Sequence, residues 1–212
     1  MISVKNFRRD FPPLAGIWAA FALSRFFYHR AGIQFQGDTY LSYWQFIDVE
    51  WLRGDLWRSV FYLHSQPPLL NLTTGLVLQG FPESSTEIFQ ILYFLLGAAL
   101  SASIYFLGLY LRQPPWLSAA LSTWFIVSPA AVLYEHWLMY AYPLAAALCW
   151  AGVCLYQFAM TKRTIWGGAF FFLLAIMALT WSLFHIVWLY AFAALLFVLL
   201  RRDFKKTLIA AL

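Results

Sequence analysis

The sequence predicts an all-α, polytopic membrane protein with about six transmembrane helices and interfacial helices in its first outer loop. Three observations predict it. Of 212 residues, 63% are hydrophobic, 21% aromatic and 11% charged, with a mean hydropathy of +0.69; a soluble domain carries about a quarter charged residues. Several apolar runs approach the roughly 20 residues that a helix needs to cross the hydrocarbon. Apart from the first run, the charges flank those runs. The net charge of +5 is therefore spread over loop ends and does not form a polyanion groove, and no nucleic-acid partner is expected.

The N-terminus is basic and then apolar, the outline of a secretion signal. Arg25 interrupts the apolar stretch and no small-x-small cleavage site follows, so it reads as an uncleaved first span over 12–32. Later spans are expected at 86–111, 116–133, 143–160, 165–181 and 183–200. A further run, 67–80, would reach only about 21 Å as a helix, and whether it crosses decides the topology of everything after it. If it does not cross, ten of the fourteen basic residues (Lys5, Arg8, Arg9, Arg112, Lys162, Arg163, Arg201, Arg202, Lys205 and Lys206) fall on the cytoplasmic side. If it crosses, eleven fall outside. The excess of positive charge on cytoplasmic loops selects the first arrangement, with a cytoplasmic N-terminus.

Residues 33–85 then form one outer segment. From 40 to 63, Trp44, Trp51 and Trp57 alternate with Asp48, Glu50, Arg53 and Asp55. That mixture suits short helices lying in the membrane interface, broken at Gly54. Pro67 and Pro68 open a short apolar helix, where Pro is tolerated in the first turn. Cys149 and Cys154 both lie in one apolar run and read as buried filler. Residues 201–212, RRDFKKTLIAAL, read as a cytoplasmic turn and the opening of another span. The chain is expected to be a single transmembrane domain over 1–212, the N-terminal part of a longer protein.

Residues that could carry chemistry gather on the outer side. Asp38, in Gln36-Gly37-Asp38-Thr39-Tyr40, stands just past the first span, where Gly37 permits a tight turn. A carboxylate among aromatics at the membrane edge can serve as a general base; taken alone, the residue favours the plainer reading of an N-cap for a helix over 39–51, since Asp is a leading cap residue. Glu135 and His136 sit in Tyr134-Glu135-His136-Trp137-Leu138-Met139-Tyr140, where an acid is costly unless it is paired, used or wet. His64 and Gln66 flank Pro67-Pro68-Leu69. Arg25, in the outer half of the first span, either snorkels to headgroups or grips a lipid phosphate. His29, His64, His136 and His185 all fall toward the outer side but lack ligand spacing on one helix. Asn71-Leu72-Thr73 matches a glycosylation acceptor.

In this order and spacing the residues resemble the start of the GT-C membrane glycosyltransferases, which take sugar from a polyprenyl-phosphate donor. That family includes the protein O-mannosyltransferases and the aminoarabinose transferases of lipid A. The likeness runs from about Phe7 to Lys206: a basic tail, a first span, the loop acid Asp38, interfacial helices, His-x-x-Pro-Pro-Leu at His64 to Leu69, Ser128-Pro129, and the second outer acid Glu135. It implies that Asp38 is the catalytic base and that Glu135 helps form the acceptor site. It also implies an inverting transfer on the outer face of a cell membrane, the inner membrane in a bacterium. Family members often have Lys before Pro-Pro where this chain has Gln66, so donor phosphate falls to His64, Gln66 or Arg25, with Tyr40, His136 and Tyr140 around the substrate. Thr39 stands where many relatives have a second acid. The residues specify no cofactor; a divalent metal is compatible with the chemistry, though no residue pattern indicates it. The partners implied are the bilayer, a polyprenyl-phosphate-linked sugar, and an acceptor glycan, lipid or protein. The competing readings are a transporter or flippase of a lipid-linked saccharide and a haem- or quinone-binding subunit.

Overall fold

The computed structural model describes residues 4–62, 67–184 and 187–199. They form α1 (Val4–Arg30), α2 (Val49–Gly54), α3 (Leu56–Tyr62), α4 (Pro68–Gly80), α5 (Ser85–Tyr110), α6 (Pro115–Val127), α7 (Pro129–Glu135), α8 (Ala141–Thr161), α9 (Thr164–Thr180) and α10 (Val187–Leu199). Among the described residues there is no named strand, and Gln36 and Trp137 make one isolated parallel bridge.

α5 is the axis. Its 26 residues extend about 39 Å, and its small residues Gly97, Ala98, Ser101, Ala102 and Ser103 let neighbours approach closely, as in membrane helix packing. Trp18 of α1 donates its indole N–H to Ala98 O at 3.0 Å, and Trp150 of α8 does the same to Ala99 O at 3.0 Å. Ser122 of α6 donates to Ser101 O at 2.7 Å. These are cross-helix hydrogen bonds inside an apolar bundle, where an unpaired donor is expensive. α8 continues the layer onto α9, and α9 onto α10. Outward, Phe26, Phe27, Leu95, Trp124, Leu133 and Phe172 stand exposed, the surface expected of a chain solvated by lipid.

α5 and α8 are each long and apolar enough to cross a membrane, and α6 with α7 would make a third crossing as a bent pair. The span expected at 116–133 is thus two helices at 59° to one another. Pro129 has no N–H to continue the ladder, and the Ser128 hydroxyl instead caps α7 by accepting from Ala131 N at 3.3 Å. α9 is apolar but has 17 residues, about 26 Å. α1 is long enough at 27 residues, yet it carries Lys5, Arg8, Arg9, Asp10 and Arg25.

The helices α2, α3 and α4 pack as a tier of their own. α4, at 13 residues and about 20 Å, is too short to span, and it lies against α2, α3, α5 and α9. Leu52, Leu56, Val60 and Leu78 form the core of the tier, and Gly75 lets α4 close on Leu56, whose side chain occupies the space a Cβ would need. Asn71 is buried in α4. Its Oδ1 accepts from Ile47 N at 2.8 Å and its Nδ2 donates to Gln45 O at 3.1 Å. Both ends of the amide are thus engaged inside the protein, and the short motif match at Asn71 has no exposed acceptor behind it. The single helix expected over 39–51 is corrected. A 3-10 turn covers Thr39–Leu41, the chain then runs irregularly, and α2 starts at Val49. The acid that caps α2 is Asp48, whose Oδ1 accepts from Glu50 N at 2.9 Å.

Candidate functional site

The site forms where two loops meet. The loop after α1 and the loop after α7 are tied by the bridge between Gln36 and Trp137: Gln36 N donates to His136 O at 2.8 Å and Leu138 N donates to Gln36 O at 3.4 Å. Gly37 is buried, and a Cβ there would lie 2.7 Å from the Thr86 methyl. Its role is therefore close approach to α5. The pairing of these loops leaves a pocket of about 600 Å³ lined by residues that include Gln34, Gln36, Asp38, Tyr43, Tyr134, His136 and Trp137.

Asp38 lies at this pocket with its side chain exposed. It precedes the 3-10 turn, but its carboxylate makes no capping bond. Thr39 Oγ1 donates to Gln36 O at 2.9 Å instead, so the turn closes without the acid. Of the two sequence readings, the cap is the one the geometry does not use. Trp137 is a pocket wall braced by Tyr43, at 5.7 Å between ring centroids, and by Tyr134 at 6.2 Å. His136 is buried, with Nδ1 2.9 Å from Val132 O. A carbonyl only accepts, so the proton sits on Nδ1, and in the neutral ring Nε2 carries the lone pair.

Glu135 points the other way, into the bundle. Arg25 Nε donates to Glu135 Oε1 at 2.8 Å and Nη2 to Oε2 at 2.5 Å, a bidentate pair with side chains 7% and 3% exposed. Nη1 of Arg25 donates to Ile126 O at 2.7 Å and to Ser24 Oγ at 2.9 Å, and the guanidinium lies 4.3 Å from the Phe21 ring centroid. Tyr142 donates its hydroxyl to Glu135 Oε2 at 2.7 Å. The cluster occupies the space beside Gly97, where a Cβ would come 2.6 Å from Glu135 Oε2. Both sequence readings of Arg25, snorkelling and phosphate grip, assumed an exposed guanidinium. Here it is buried, and Glu135 is its partner across the break between α6 and α7.

No family model, curated protein or solved structure matches this chain.

The remaining expected residues separate. Tyr40 is half-buried and packs against the cores of the bundle and of the α2–α4 tier. Tyr140 stacks on Trp181 at 5.0 Å between centroids and is not among the residues lining the pocket. His64 and Gln66 lie outside the described residues, so the element His64 to Leu69 is seen only from Pro67 onward. Among the described residues no group of three His, Cys, Asp or Glu could hold a metal ion. Cys149 and Cys154 are free thiols within α8. Sequence reasoning gave no role to Tyr43, Trp137 or Tyr142. The spacing of an acid seven residues before a Tyr at a helix start carries no signal until the loop between them is known to turn back.

Proposed function

We propose that the chain is the catalytic membrane part of a glycosyltransferase that takes sugar from a polyprenyl-phosphate donor on the outer face, with Asp38 as general base. The observation that carries this reading is a carboxylate that serves no capping role, standing at a pocket of aromatic and amide side chains. Aromatic faces pack on sugar rings and amides hydrogen-bond hydroxyls, while the open side of the pocket admits an acceptor. The chemistry needs little else. The acceptor hydroxyl oxygen attacks the anomeric carbon and passes its proton to Asp38. The bond from that carbon to the phosphate oxygen breaks, and the polyprenyl phosphate leaves with the bonding pair. One in-line displacement inverts the anomeric centre. Phosphate is a good leaving group, so no strong general acid is needed.

The reading extends to the remaining architecture. Six crossings, with α4 lying in the outer interface, agree with the ten-of-fourteen basic split across the membrane and with the 13-residue length of α4. Arg25 and Glu135 act as a buried brace for the loop that carries His136 and Trp137. Donor phosphate then falls to groups other than Arg25, His64 among them.

A second reading has a specific observation behind it. A helix pair broken at Ser128 and Pro129, beside a buried ion pair, resembles the discontinuous helices of transporters. Proteoliposomes holding the protein and a polyprenyl-phosphate sugar separate the two. A transferase releases polyprenyl phosphate when acceptor is supplied on the outer side. A transporter moves the intact donor between leaflets and releases none. Intact donor crossing the bilayer with no free polyprenyl phosphate would overturn the transferase.

A further inference from the structure

We infer that the end of the bundle away from the pocket binds anionic phospholipid headgroups, through Arg112, Lys162 and Arg163 in two short turns. This seat goes beyond the transferase reading and needs only that the chain lies in a bilayer.

α5 and α8 run side by side and reach this end together. Tyr110 and Tyr156 stack at 4.3 Å between ring centroids, and Gln157 Nε2 donates to the Tyr110 hydroxyl. The turn after α5 covers residues 111–114, and the turn after α8 is Lys162 and Arg163 alone. Both are short, and the stacked rings hold their helices together, so the basic residues are largely positioned before any ligand arrives.

The backbone of both turns is unusual. Arg112 stands at φ 61° and Lys162 at φ 55°, the non-glycine residues with positive φ among those described. Glycine adopts that left-handed shape without steric penalty, whereas a Cβ is penalised there. At the other end of the bundle the left-handed residue after α1 is Gly32, at φ 91°. A basic residue elsewhere in either turn would complement the helix dipole and orient the chain equally well. Two charges are thus held where glycine would be the more stable choice, and outliers of this kind point to function.

Charge and depth say what the turns bind. Residues 105–118 and 156–168 contain no Asp or Glu. Among the described residues Arg112 and Arg163 are exposed and make no ion pair. α1 begins at this end as well, its Leu14 and Ile17 packing with Ala102 and Tyr105, and there Lys5, Arg8 and Arg9 outnumber Asp10. Leu111, Trp116 and Ile165, beside the basic residues, are 74%, 71% and 73% exposed. In a bilayer these side chains enter the acyl region with Trp at its edge, and the basic groups reach out to the phosphate layer. Each Lys or Arg at that depth favours anionic lipid. A soluble phosphate ester has no chains to meet Leu111 and Ile165, so the ligand is a lipid.

Native mass spectrometry of the full chain, released from a non-ionic maltoside micelle, reads the preference. Phosphatidylglycerol and phosphatidylcholine with identical acyl chains are titrated in turn, and glycerol 3-phosphate serves as a soluble competitor. Phosphatidylglycerol should bind about tenfold or more tightly than phosphatidylcholine, and glycerol 3-phosphate should not displace it. Arg112→Gly and Lys162→Gly keep both left-handed turns while deleting the charges. Combined with Arg163→Gln they should abolish the preference. Arg112→Gly alone, the second variant should the triple one fail to fold, should reduce the preference about threefold or more without lowering the melting temperature. Arg53→Gln, in α2 at the other end of the bundle, should leave the preference intact. Equal binding of the two lipids would overturn the inference, as would an unchanged preference in both the triple and the single variant. So would a matching loss in Arg53→Gln, or displacement by glycerol 3-phosphate. A lower melting temperature in Arg112→Gly would overturn it too, because the charge would then be serving the fold. No readout involves turnover, so a chain that selects anionic lipid but transfers no sugar would sink the transferase alone.

Discussion

Removing either member of the buried pair should cost far more than removing both. Arg25 and Glu135 bind each other through two hydrogen bonds, and Ile126 O, Ser24 Oγ and the Tyr142 hydroxyl fill their remaining valences. With side chains 7% and 3% exposed, neither charge can be rescued by water. Deleting one partner of such a pair costs about 3–5 kcal/mol, chiefly because the other charge is left buried and alone, whereas an apolar replacement of both is close to neutral. At about 2–4 °C per kcal/mol for a chain of this size, Arg25→Leu and Glu135→Leu should each lower the melting temperature by about 6–20 °C. The double variant should recover most of that loss. The assay is thermal unfolding in micelles followed by tryptophan fluorescence, with all four members of the cycle compared. A double variant whose loss equals the sum of the two single losses would refute the reasoning, because the two side chains would then be acting independently.

Other expectations follow from the same geometry. Gly97→Ala would place a Cβ 2.8 Å from the Phe21 ring and the Tyr142 hydroxyl as well as against Glu135, and overpacking of this kind costs about 1–3 kcal/mol; unfolding in mixed micelles should show it. Asn71→Ala leaves Ile47 N without its partner, which should cost about 1–3 kcal/mol, and the wild-type chain made in a glycosylating host should keep its mass when treated with a glycosidase. Reporters fused after Gln79 and at Tyr140 should report the outer side, and those at Arg112 and Arg163 the cytoplasm; a cytoplasmic signal at Tyr140 would break the shared outer site.

Hydropathy and length made α5 and α8 legible in the sequence, because lipid-facing and buried residues are both apolar there. The break at Ser128 was visible as a Ser-Pro pair, but the expected span 116–133 runs through it. Only packing shows that α7 turns by 59° and carries Glu135 inward. Charge counting placed Arg25 and Glu135 on one side of the membrane. Their pairing across 110 residues could not be read, since neither has a sequence neighbour that hints at the other. Asp38 illustrates the opposite limit. Residue preference offered both cap and base, and the two were separated only by a turn that closes through Thr39. Asp48, which attracted no special attention, turned out to be the cap. The walls of the pocket were hidden for a different reason. In a chain with 11 Trp and 12 Tyr, composition cannot single out the few rings that face a cavity.

The central claim is that Asp38 removes a proton during transfer, and Asp38→Asn tests it most directly. The amide keeps the shape of the side chain, and no capping bond is lost, so folding and melting temperature should be unchanged. Loss of a general base costs about 10²–10⁴ in rate. The Asn variant should therefore bind donor lipid normally and turn over at least a hundredfold slower. Full turnover in Asp38→Asn would contradict the account.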